Sequence, residues 1–284
     1  MRIMLLLAFG LLFHWNNSET TTTNENKSIT VCHSDAIETF AALGSNPDFV
    51  EVHPNPKPYE HISEKGKAIS FKASDGKEAY GYHVPADKKT GQYIFVFHEW
   101  YGLNDYVKKE SEKLQKDLNV NVLAIDLYDG KVADNRDNAS KYMQAMEYER
   151  GKSIIEGALE HVGANTKVAT IGWCFGGGWS LQASLILEDN ASGCVMYYGM
   201  PEKDIDRLKT LQTDVLGIFA SQDQWINEEV VDEFKTNMKA ANKDLEVYVY
   251  DAGHGFANPS NPIYDNEATK KAYKHTLDFL KAHL

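Results

Sequence analysis

The stretch "ATIGWCFGGGWSL", residues 169 to 181, decides the fold. It passes from an apolar run of strand character into Gly-Trp-Cys-Phe-Gly, and then into small residues that open a helix. A G-x-C-x-G between strand and helix has the form of a nucleophile turn, with Cys174 at the apex where serine is usual. Gly172 and Gly176 stand two residues to either side, where side chains would collide in so sharp a turn. A helix N-terminus just beyond the thiol favours its thiolate. The same letters also fit an inert thiol buried beside a tight turn, so the choice rests on what the other strands carry at their ends.

Working outward, strand-like runs fall at residues 68–71, 79–84, 93–97, 120–125, 168–171, 194–198, 215–220 and 245–250. The first two, joined by "SDGK", read as an antiparallel hairpin. From residue 93 onward helical patterns intervene, at 105–118, 139–161, 177–187, 227–241 and 267–282. This alternation predicts a mostly parallel central sheet with helices on both faces. Residues 34–64 read as a short helix, with Asp35 and Glu38 spaced as a capping box, followed by the proline-broken "HPNPKPYEH". That segment is expected to be a strap packed on the main domain.

In such a sheet, chemistry collects at the carboxyl ends of the strands. Those ends carry "HEWYG" at 98–102, "DLYDG" at 126–130, "GWCFGG" at 172–177, "SQDQW" at 221–225 and "DAGHGF" at 251–256. Cys174, Asp223 and His254 therefore appear in the order nucleophile, acid, histidine. After Asp223 the only other histidines are His275 and His283, both on the final amphipathic helix. Asp223 could instead cap a helix, but Asn227 is better placed for that. Asp251 is a rival acid and reads as a turn residue.

These motifs resemble the dienelactone hydrolase family of α/β-hydrolases, over roughly residues 68–284. They are Glu99 in "HEWYGLN", "DLY" at 126–128, the cysteine elbow, "YYG" at 197–199, Asp223 and "GHGF". The resemblance implies an α/β-hydrolase fold and cleavage of an ester or lactone through a Cys-His-Asp triad and an acyl-thioester. The backbone N–H groups of Trp100 and Phe175 would hold the oxyanion. It further implies that Glu99 contacts the resting thiol and moves away when substrate binds. Family members acting on dienelactone carry two arginines for the substrate carboxylate, at places held here by Gly130, beside Lys131, and by Asn258. A lysine lacks the bidentate fork of arginine, so dienelactone itself is not expected, and Tyr128 and Lys131 remain as substrate-binding candidates. No cofactor is expected. Metal is not expected either, because the zinc-helix pattern H-E-x-x-H needs histidine where Gly102 stands.

Composition narrows the partners. The 284 residues have a net charge of −12, which gives nucleic acid and anionic lipid no attractive field. A small-molecule substrate and a monomer are expected. Arg2 and the apolar run at 3–13, followed by "HWNNSETTTTNENKS", read as a signal peptide, too short to span a bilayer. The expected organisation is a signal and polar linker at 1–28, the strap at 29–66 and the hydrolase domain at 67–284, in a periplasmic or secreted protein. Cys32, Cys174 and Cys194 make an odd number, and Cys194 in "GCVMYYG" reads as a core residue. A secreted binding protein that keeps the hydrolase scaffold without its catalysis is the other reading. It would not need Cys, Asp and His to meet at strand ends.

Overall fold

Runs such as Ile94 to Phe97, fully buried at every position, can satisfy their backbone groups only inside a sheet covered on both faces. The computed structural model describes residues 35–284, with side chains from Ala36 onward, and eight such segments form one sheet. They are β1 (Lys67–Lys72), β2 (Glu78–Val84), β3 (Tyr93–Phe97), β4 (Asn121–Asp126), β5 (Val168–Trp173), β6 (Ala191–Tyr197), β7 (Val215–Ala220) and β8 (Leu245–Tyr250). Their spatial order is β1-β2-β4-β3-β5-β6-β7-β8. β2 pairs antiparallel with β1 and β4, and β3 to β8 run parallel. The signal-peptide run, Cys32 and the cap of the first helix lie outside the described residues.

Nine helices accompany the sheet among the described residues. Two precede it, α1 (Asp35–Ala42) and α2 (Pro47–Glu51), followed by α3 (Asp105–Leu118), α4 (Arg136–Gln144), α5 (Tyr148–Val162) and α6 (Phe175–Leu187). After these come α7 (Ile205–Thr210), α8 (Glu228–Ala240) and α9 (Asn266–His283). α3 and α9 touch each other in one layer, and α5 and α6 touch in another that extends through α7 to α8. Local chemistry sets the boundaries. Asn104 accepts from the Tyr106 and Val107 amides to start α3, and Asn119 ends it at φ 52°. Asn227 caps α8 through the Val230 amide.

Two elements depart from the sequence reading. The helix expected over 139–161 is two helices, broken at Ala145 to Glu147. α4 packs on α1 and the turn after it, whereas α5 packs on β1 and α6, and one straight rod cannot serve both surfaces. The short α7 was not anticipated; Asp204 caps it through the Asp206 and Arg207 amides.

The described residues ahead of β1 include α1, a 3₁₀ turn (Leu43–Ser45) and α2, with α1 against α6. Of these, the apolar Ile37, Phe40 and Phe49 are each 1% exposed or less. The largest side chains of this short segment therefore point into the body, where burying a Phe removes roughly 150–250 Å² from water.

Candidate active site

The elbow between β5 and α6 requires its glycines. A Cβ on Gly172 would sit 2.0 Å from the Gly176 carbonyl oxygen, and one on Gly176 would sit 2.2 Å from that of Phe97. The absence of side chains lets the turn press against the end of β3. Cys174 pays for that closeness in backbone strain, at φ 56° and ψ −121°, outside the regions L-residues favour. Its amide donates to the Tyr197 carbonyl at 3.0 Å, and its carbonyl accepts from the Gly177 amide at 3.0 Å. The strained turn is thus fixed at both ends.

Two loops build a hydrogen-bonded path to this sulfur. His254, in the loop after β8, has Nε2 3.3 Å from Cys174 Sγ. Its Nδ1 donates to Asp223 Oδ2 at 2.6 Å. The other oxygen of Asp223 accepts from the Trp225 and Ile226 amides, each at 2.9 Å. Asp223 therefore builds its own turn with one oxygen and orients the imidazole with the other. Asp251 is exposed and accepts from the Gln222 and Ser221 side chains, away from the imidazole.

Burial of the cluster sets its charges. It pushes the Cys174 thiol up from its ordinary value, against the pull of the neighbouring imidazole. Burial also works to lower His254, but Asp223 and the sulfur more than offset it and hold the imidazole well above its ordinary range. For Glu99, burial raises the carboxyl to about 7.

Glu99 lies after β3, where its Oε2 accepts from Asn258 Nδ2 at 2.5 Å. The family resemblance implies contact between this carboxylate and the resting thiol; here the carboxylate is held by Asn258, and the side chains hydrogen-bonded to the sulfur are two imidazoles. The place where dienelactone-cleaving relatives carry arginine is thus used to anchor Glu99. Trp100 is buried, and its carbonyl accepts from the Tyr128 hydroxyl at 3.3 Å. The Phe175 amide at the start of α6 is directed at the sulfur. Tyr128 packs on Phe175, with ring centroids 6.0 Å apart, while Lys131 is exposed with its ammonium 5.5 Å over the Tyr142 ring.

The residue that sequence reasoning missed is His53, from the strap. Its Nε2 lies 3.8 Å from Cys174 Sγ, and its Nδ1 donates to the Phe49 carbonyl at 2.6 Å. The ring stacks on Trp100 at 5.1 Å. Burial, followed by the nearby His254, lowers this imidazole to about 3, so it is neutral at neutral pH. Phe40 and Phe49 complete the cover, each about 6 Å from the His254 ring, and Cys174 is 1% exposed. A cleft of about 320 Å³ opens beside Glu99, Trp173 and Asn258, and another of about 380 Å³ opens beside His254, Trp225 and strap residue Pro54. Neither is lined by Cys174.

An eight-stranded sheet in this order, with a strained cysteine turn after β5, defines an α/β-hydrolase. A sequence model of the dienelactone hydrolase family matches residues 79–284, and the chain belongs to that family, a carboxylic ester hydrolase. It is 26% identical over 201 residues to carboxymethylenebutenolidase 1 of Cupriavidus pinatubonensis, covering 66% of this chain and 84% of the relative. A carboxymethylenebutenolidase of a Pseudomonas species is 36% identical over 115 residues, 40% of this chain and 47% of that one. Among solved structures, a dienelactone hydrolase-like promiscuous phosphotriesterase from metagenomic libraries superposes with a TM-score of 0.67 at 21% identity, covering 77% of this chain and 99% of the other. No described helix is long and apolar enough to cross a membrane.

Proposed function

We propose that the protein cleaves a small carboxylic ester or lactone by acyl transfer to Cys174. The observation that carries this reading is the aligned path from Cys174 Sγ to His254 Nε2 at 3.3 Å and from His254 Nδ1 to Asp223 at 2.6 Å, at a strained turn. The thiol proton rests on His254 as the Cys174 thiolate attacks the carbonyl carbon, and Asp223 stabilises the imidazolium. The amides of Phe175 and Trp100 receive the oxyanion. The C–O bond to the leaving alcohol then breaks, and the proton returns from His254 to that oxygen. Water attacks the thioester, gives its proton to His254, and the C–S bond breaks as the thiol is restored.

The cleft beside Glu99 has aromatic walls, among them Tyr101, Tyr106, Trp173 and Tyr273. With no arginine at 130 or 258, this favours an apolar or aromatic ester over a carboxylate-bearing lactone. Export belongs to the same proposal and rests on the apolar run at 3–13 and its polar flank.

The test is hydrolysis of p-nitrophenyl acetate by protein beginning at Ser28, as wild type and as Cys174→Ala. Wild-type turnover with at least a thousandfold loss in the variant is expected. Equal rates would end the cysteine mechanism.

A further inference from the structure

No metal was expected from the sequence, because the zinc-helix pattern H-E-x-x-H fails at Gly102. The fold assembles a ligand set from segments 121 residues apart instead. Cys174 Sγ, His53 Nε2 and His254 Nε2 all lie within 4.8 Å of one another, and all three residues are buried. The sulfur-to-nitrogen separations are 3.3 and 3.8 Å. Around a tetrahedral zinc ion, with Zn–S of about 2.3 Å and Zn–N of about 2.0 Å, the corresponding edge is about 3.5 Å, between the two observed values.

Both imidazoles are also fixed in the orientation a metal ligand needs. His254 commits Nδ1–H to a carboxylate and His53 commits Nδ1–H to a backbone carbonyl, so each turns Nε2 toward the sulfur. Metal-binding histidines are held by outer partners of these two kinds. We infer that Cys174, His53 and His254 form a site for a thiophilic divalent cation of the zinc class, with its fourth position open. One thiolate and two imidazoles suit zinc or cobalt, and the set offers no oxygen ligand for magnesium or calcium. On binding, the proton shared between Cys174 Sγ and His254 Nε2 leaves to solvent, the S–metal bond forms from the thiolate pair, and each Nε2 gives its lone pair. Asp223, behind His254, offsets part of the added charge. The sulfur pair engaged by the cation is the pair that would attack an ester, so occupancy and acyl transfer exclude each other and a chelator reverses the block.

The inference stands on the three ligand atoms and does not require the ester reading. The experiment is a titration of chelator-stripped full-length chain with Co²⁺, followed by the sulfur-to-cobalt charge-transfer band and the intense d–d absorption of tetrahedral cobalt, with Zn²⁺ as competitor. One equivalent is expected, with the sulfur band lost in Cys174→Ser. His53→Gln and His53→Phe should each weaken cobalt at least tenfold; the Phe variant keeps an aromatic ring on Trp100. Absence of the sulfur band in wild type overturns the site. So does unchanged affinity in either His53 variant that retains the wild-type far-UV circular dichroism. Ester hydrolysis measured on the same samples separates failure of this site from failure of the cysteine mechanism.

Discussion

The strap and the hydrolase domain meet at one sulfur but differ in how they were built. Residues 79–284 match the family and place Cys174, His254 and Asp223 on loops fixed by the sheet. The strap lies before that match, yet it supplies Phe40, Phe49 and His53, which close over the same atoms. The domain's contribution is directional, with hydrogen bonds aimed through Asp223 and His254. The strap's contribution is mostly apolar burial, with one imidazole among aromatic rings. The comparison separates machinery from cover, and each half fails in its own way.

The largest effect belongs to the domain. Asp223→Asn should leave the strap docked but remove the carboxylate that fixes the His254 tautomer, and kcat/KM should fall roughly a thousandfold to ten-thousandfold. Steady-state hydrolysis of an activated ester reads this. A fall below tenfold would move the acid role elsewhere, with Asp251 the nearest rival.

The next effect belongs to the cover. Phe49 touches the rings of Phe40, His53, Trp100 and Trp225. Phe49→Ala should weaken strap docking by about 3 to 5 kcal/mol. An uncharged alkylating reagent should then label Cys174 faster, and amide exchange over residues 35–53 should rise. An unchanged labelling rate would mean that reagents reach the sulfur by another path, and the division into machinery and cover would break.

The division also explains what was legible. The strands at 93–97, 215–220 and 245–250 have the same limits in sequence and structure: the first two are continuous apolar runs between turn residues, and the third, LEVYVY, is rich in β-branched and aromatic residues. The elbow was readable because close approach demands glycine on both sides of Cys174. His53 carried no such mark: it is one histidine in a proline-broken segment, and its place depends on tertiary docking against Trp100. Asn258 was visible only as a missing arginine. The break between α4 and α5 has no glycine or proline to signal it, since it arises from two docking surfaces.

Acid should separate the halves more gently. His53 is lowered to about 3 by burial and by His254, while an unfolded histidine titrates near 6.5. The open strap therefore binds a proton between those values that the docked strap refuses, and docking strengthens as pH rises through that window. At pH 5 the loss is about 2 kcal/mol relative to pH 7. The groups facing this ring are Cys174, His254 and Asp223, and His254 is already held protonated there. Amide exchange over the strap at pH 5 and pH 7 measures the difference, and His53→Phe should abolish it. A strap equally protected at both pH values would place the imidazole outside the cover.

The smallest effect tests whether Asn258 works for the machinery. Burial raises Glu99 to about 7, and the Asn258 amide opposes that rise by donating to the carboxylate. A carboxyl raised on folding costs nothing at acid pH, where both states are protonated, and costs increasingly as pH climbs from the ordinary carboxylate range through about 7. Asn258→Ala removes the donor and should raise Glu99 further. Its pH-dependent cost should be absent near pH 4 and reach about 1 kcal/mol by pH 8, in the range of one hydrogen bond to a charged group. Loss of the Ser260 contacts to the same side chain does not vary over that range, so the difference between denaturation at the two pH values isolates Glu99. If the variant loses the same stability at both, Asn258 holds its loop through Ser260 and not the carboxylate, and Glu99 is free to turn toward the thiol as the family resemblance implies.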